Sequence, residues 1–129
     1  MTATRTANAL LQGWQRGNVL ATDCPSRQVL QHLTSKWGVL VMLALQTGTH
    51  RFSALRRRVG GVSERMLAQT LHALEADGMV RRVAHDVVPP HVEYSLTPLG
   101  AEVAPLVVAL TAWIEGNLPR IMAQQTKAA

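Results

Sequence analysis

The chain holds a single cysteine among its 129 residues, Cys24. One thiol forms no intrachain disulfide, and a four-thiolate zinc site is out of reach. The five histidines (His32, His50, His72, His85 and His91) show no pair at familiar metal-ligand spacing, so no metal site is expected. Gly-rich phosphate loops, a Gly-x-Ser-x-Gly elbow and a His-Glu-x-x-His helix are all missing. Nothing argues for an enzyme or for a cofactor. The longest unbroken apolar run, Val39 to Leu45, is far shorter than a bilayer is thick, so no membrane partner is expected. Residues 1 to 22 contain no acid and lack both a secretory apolar core and sustained amphipathicity. They read as an N-terminal arm on a cytoplasmic protein.

Acids are also scarce. Thirteen Lys and Arg against eight Asp and Glu leave a net charge of +5, which favours an anionic partner, nucleic acid first. The charge is unevenly spread. Residues 51 to 82 hold Arg51, Arg56, Arg57, Arg58, Arg65, Arg81 and Arg82 against Glu64, Glu75 and Asp77, whereas residues 83 to 129 are net acidic. With 47% hydrophobic residues, the chain has enough apolar material for one domain core.

Asp23-Cys24-Pro25-Ser26 opens a first helix, with proline placed where its missing N–H costs nothing. Lys36 to Gln46 is apolar nearly all round and reads as the central core helix, stopped by Gly48. Phe52, Leu55 and Val59 repeat at helical spacing, and Arg57 and Arg58 point away from that side. Gly60-Gly61 ends this short helix, and Ser63 caps the next one. Helix, Gly-containing turn and helix together form a helix-turn-helix.

The helix from Ser63 to about Ala76 is the most informative. At about 100° per residue, Leu67, Leu71 and Leu74 share the core face, while Arg65, Gln69 and His72 lie opposite, interleaved with alanines. Long polar side chains separated by small ones can approach another surface closely. In a DNA major groove, Arg reads guanine and Gln reads adenine. The plainer alternative is an ordinary amphipathic surface helix. Its place as the second helix of the motif, within the basic segment, favours readout of double-stranded DNA.

After the Asp77-Gly78 stop, Val80 to Val88 reads as a strand, Pro89-Pro90 as a turn and Val92 to Leu96 as an alternating strand. This hairpin is a wing carrying Arg81, Arg82, His85 and His91. Basic wings touch phosphates or the minor groove, although a hairpin can also simply cover core. Thr97-Pro98 caps a last helix with an apolar stripe of Val103, Leu106, Val107, Leu110, Ile114, Leu118 and Ile121. Pro105 is expected to kink or split it, and Pro119 to interrupt it again. A stripe that long favours a homodimer over docking on its own core. The expected organisation is an arm over 1–22, a winged helix-turn-helix over 23–97, a dimerisation helix over 98–124 and a tail over 125–129. The fold class is mainly α with a small β-hairpin wing.

The chain resembles the HxlR-type winged helix-turn-helix transcription regulators, relatives of the MarR group. The resemblance rests on Asp23-Cys24-Pro25, Lys36-Trp37, Arg51-Phe52-Ser53, Gly61 to Leu67, Leu74 to Val80, Val92 to Thr97 and Gly100, in order and at matching spacing. It implies a homodimer, held by terminal helices, in which two recognition helices read a palindrome-like operator. It also implies a sensor of oxidants or electrophiles at Cys24. Locally, a helix N-terminus and Arg27 would favour a thiolate there, while Asp23 opposes it. Thr34-Ser35 stands where the family commonly has Gly-Gly, Ala54 where an acid is frequent, and His91 where the wing more often carries Arg. Two other readings remain open: control by a small ligand near Trp37, Met42 and Trp113, or a protein-binding winged helix that never touches DNA.

Overall fold

Serine hydroxyls set the starts of the two central helices. Ser35 Oγ accepts from Gly38 N–H at 3.1 Å and begins one; Ser63 Oγ accepts from Met66 N–H at 3.0 Å and begins the other. Each satisfies one of the N–H groups that a helix start leaves without a partner. The computed structural model describes residues 18–128, with side chains through Lys127. Its described elements, in order, are α1 (Ser26–Thr34), α2 (Lys36–Leu45), β1 (His50–Arg51), α3 (Phe52–Arg58), α4 (Glu64–Ala76), β2 (Val80–His85), β3 (His91–Leu96) and α5 (Pro98–Ala128). Most of the expected N-terminal arm lies outside the described residues.

The chain divides into two units after His32. In the first, successive turn bonds lead into α1: Cys24 N–H to Ala21 O, then Arg27 N–H to Cys24 O. In the second, beginning at Leu33, α2 is the hub and packs against α3, α4, β3 and α5. Its Val41 and Met42 are wholly enclosed and join Leu55, Leu67, Leu71, Leu74 and Val80 in the core. Burying each leucine contributes about 1.5–3 kcal/mol.

The sheet is antiparallel, in the order β1-β3-β2. It has one strand more than the expected hairpin, because His50 and Arg51 pair with Tyr94 and Glu93. β2 ends at His85, three residues short of the expected Val88, and residues 86–90 form the connection. Gly78, at φ +79°, makes the left-handed turn out of α4 that residues with a Cβ rarely adopt.

α5 departs from expectation. It is one continuous helix of 31 residues through both Pro105 and Pro119 and, to Ala128, into the residues expected as a tail. Each proline removes one helical N–H, which leaves the carbonyls of Ala101 and Glu115 without their i+4 donors. Both prolines and both carbonyl-bearing residues are exposed, so water can satisfy those oxygens. Over Pro98–Lys127 the helix is also long and apolar enough to span a bilayer by length and composition alone, which the short unbroken runs in the sequence conceal. Its first turns are instead part of the domain. Gly100, Ala104 and Val107 are buried, and Gly100 lies directly against the backbone of Met79.

Candidate nucleic-acid interface

α4 turns Leu67, Leu71 and Leu74 into the core and leaves Arg65, Gln69 and His72 exposed on the other side, with Ala68 between them. The face is therefore the one expected from the periodicity. Ser63 is exposed as well, but its hydroxyl is committed to the cap. Arg57 and Arg58 are exposed at the end of α3, just before the turn into α4. Arg56 approaches Glu64 at 4.0 Å, a weak exposed pair. No acid lies within ion-pair distance of Arg57, Arg58, Arg65, Arg81 or Arg82 among the described residues. That positive charge is thus left free for an external anion.

The wing separates its two arginines. Side chains alternate between faces along a strand. Arg82 is the cross-strand partner of Tyr94, and together with His72, Ala68 and Glu75 of α4 it lines a cavity of about 350 Å³. His72 and Arg82, 10 positions apart in sequence, thus meet between helix and wing. Arg81 faces the other way, on the side that also carries His85, His91 and Glu93.

On that outer face the structure corrects the sequence reading of the histidines. His85 and His91 are cross-strand partners, with rings stacked at 4.7 Å. Both Nε2 atoms approach the same Glu93 oxygen, at 3.3 Å from His85 and 3.2 Å from His91. Six residues of sequence separation hide a pair that the antiparallel register places side by side. His91, expected on DNA, lies beside Glu93 on this face. His85 and His91 flank the five-residue connection 86–90, whereas a two-residue turn at Pro89-Pro90 would have set Tyr94 opposite His85.

Along α5 the expected interface residues split. Val107 is buried against its own domain and Val103 is half-buried, so Val107 is not free for a partner. Leu106, Leu110, Trp113, Ile114, Leu118 and Met122 are all exposed, with Leu106 at 69%. The stripe begun by Val107 continues through Ile114 and Leu118, past the point where the domain covers it. Of the residues considered for a ligand pocket with Trp37, Met42 is enclosed in the core and Trp113 is mostly exposed. Trp37 is half-buried, with Lys36 Nζ 4.6 Å from the centre of its ring.

Cys24 is a buried free thiol two residues before α1. Arg27, expected to favour its thiolate, donates from Nη1 to the Leu20 carbonyl at 3.3 Å.

Comparison with known proteins agrees with this architecture. The family model described as HxlR-like helix-turn-helix matches residues 32–122. The HTH-type transcriptional regulator YtfH of Escherichia coli is 62% identical over 115 residues, covering 89% of this chain and 91% of that protein. A solved structure of a transcriptional regulator ytfH from Salmonella typhimurium is 63% identical and superposes with a TM-score of 0.82, over 86% of this chain and 99% of that one. The redox regulator HypR in its oxidized form is 38% identical with a TM-score of 0.67, over 73% of this chain and 97% of its own. The chain is a winged helix-turn-helix transcriptional regulator and belongs to the HxlR-like helix-turn-helix family.

Proposed function

We propose that this protein acts as a homodimer that binds a palindrome-like operator on double-stranded DNA, reads bases through α4 and changes affinity when Cys24 is oxidised or alkylated. The reading is carried by one observation: the outer face of α4 offers Arg65, Gln69 and His72, exposed and separated by alanine, and among the described residues no acid pairs with Arg57, Arg58, Arg65, Arg81 or Arg82. Arg65 and Gln69 supply base-edge hydrogen bonds, while Arg57, Arg58, Arg81 and Arg82 supply phosphate contacts. Dimerisation rests on the exposed apolar length of α5, which a two-fold partner covers with the same residues. The protein then works by binding rather than catalysis, in the cytoplasm, where the DNA is.

Switching at Cys24 is supported by the similarity to a redox regulator and by a thiol that pairs with no other cysteine of the same chain. A single thiol permits an intersubunit disulfide, a mixed disulfide with a small thiol, or an electrophile adduct. Footprinting on the region upstream of the protein's own gene, with and without diamide, tests both parts. A protected symmetric site that changes on oxidation supports them. Protection of no defined site argues against base readout.

A further inference from the structure

The wing carries a cluster that DNA recognition does not explain. His85, His91 and Glu93 each offer one ligand atom, and the three atoms lie within 4.8 Å of one another. Two of the separations, 3.3 and 3.2 Å, run from the imidazole Nε2 atoms to the same carboxylate oxygen. Ligand atoms at about 2.0–2.1 Å from a tetrahedral zinc ion lie about 3.3–3.4 Å apart. Two edges of a coordination polyhedron are therefore already close to their bonded length.

The hydrogen bonding is incomplete without a cation. His91 Nε2 has the geometry to bond Glu93 Oε1, but His85 Nε2 is fully enclosed and makes no hydrogen bond. A neutral His85 with its lone pair at Nε2 would face the lone pairs of the carboxylate. A buried polar atom left in that state calls for a missing water or ion. A divalent cation placed among the three atoms satisfies all of them at once. The support is rigid, because His85 and His91 are paired residues of two hydrogen-bonded strands and Glu93 lies two positions along the same face.

We propose that His85, His91 and Glu93 form a binding site for a zinc-type divalent transition metal at the end of the wing, completed by water. Two imidazoles and a carboxylate are a donor set suited to that class, and alkaline-earth cations prefer all-oxygen sites. The metal replaces a local charge of −1 on Glu93 with a net +1 on the face that Arg81 shares. This stiffens the hairpin and strengthens its attraction to phosphate. The metal site itself stands on the wing's geometry alone. Only its effect on operator affinity rests on the DNA-binding reading above.

The test is calorimetric titration of the chelator-stripped, full-length protein with zinc chloride, comparing wild type with His85→Ala, His91→Ala, Glu93→Gln and Cys24→Ser. Melting curves without metal check that each variant folds. One zinc per chain is expected for wild type and for Cys24→Ser. Removing a ligand should weaken binding at least as much as the roughly 10–100-fold that losing a hydrogen-bond partner of a metal ligand costs. Calcium should give no heat. If wild type takes up no zinc at micromolar concentrations, or if folded His85→Ala and His91→Ala bind it as well as wild type does, the site does not exist. Operator binding with and without zinc is measured separately. Zinc uptake with unchanged DNA affinity overturns the coupling to the wing and leaves the site standing. Failure of all specific DNA binding overturns the proposed function without touching the titration.

Discussion

Gly100→Ala isolates the junction that holds the wing to the last helix. A Cβ built on Gly100 falls 2.0 Å from the Met79 carbonyl oxygen and 3.0 Å from its carbon, where ordinary contact begins near 3.4 Å. The obstacle is backbone, so no side chain can rotate away. The first turn of α5 and the start of β2 must move apart by more than an ångström. That movement strains the bond from Thr97 N–H to Met79 O at 3.1 Å, and the bond from the Thr97 hydroxyl to Gly78 O beside it. Overpacking costs about 1–3 kcal/mol and a lost hydrogen bond about 1 kcal/mol. The better helix propensity of alanine returns at most about 1 kcal/mol. A net loss of about 1–4 kcal/mol corresponds, at about 3–5 °C per kcal/mol for a chain of this size, to a melting point lower by about 3–20 °C. Gly116, on the same helix, has nothing within 4 Å of its Cβ position, so Gly116→Ala should raise stability by up to about 1 kcal/mol. Thermal melts of the two variants beside wild type decide the matter. If Gly100→Ala melts at or above the wild-type temperature, the close approach of α5 to Met79 is wrong.

Leu110→Glu or Ile114→Glu should give folded monomers with weak operator affinity by light scattering and gel shift, whereas Val107→Glu should lower the melting point because that side chain is buried in its own domain. Arg81→Ala and Arg82→Ala should weaken binding to all DNA sequences alike and lower the slope of log affinity against log salt by about one each. Cys24→Ser should bind operator as wild type does but ignore diamide; matching oxidant titrations for the two proteins would remove Cys24 as the switch.

The helices were legible because their signals are local. Ser63, the leucine spacing in α4 and Gly78 each act within a turn or two, and the face carrying Arg65, Gln69 and His72 follows from periodicity alone. What escaped depends on partners distant in sequence. β1 has two residues, too few for any alternation to register, and exists because Tyr94 and Glu93 lie opposite. The two prolines of α5 looked like breaks, yet the carbonyls they orphan sit on residues open to water, so the helix runs on. Val107 and Leu110 are equivalent on the stripe, and only the position of the domain beneath separates a core residue from an exposed one. The pairing of His85 with His91 depends on a five-residue connection over 86–90, whereas Pro89-Pro90 alone places the chain reversal later.

Base readout by α4 is the central claim, and the affinity of wild type and Arg65→Ala for operator and for random DNA, at one salt concentration, tests it most directly. Wild type should prefer operator by about a thousandfold or more. Arg65→Ala should lose about 1–3 kcal/mol on operator, roughly 5–150-fold, and far less on random DNA. Equal losses on both sequences would make Arg65 a phosphate contact and contradict the assignment of α4 as the reading helix.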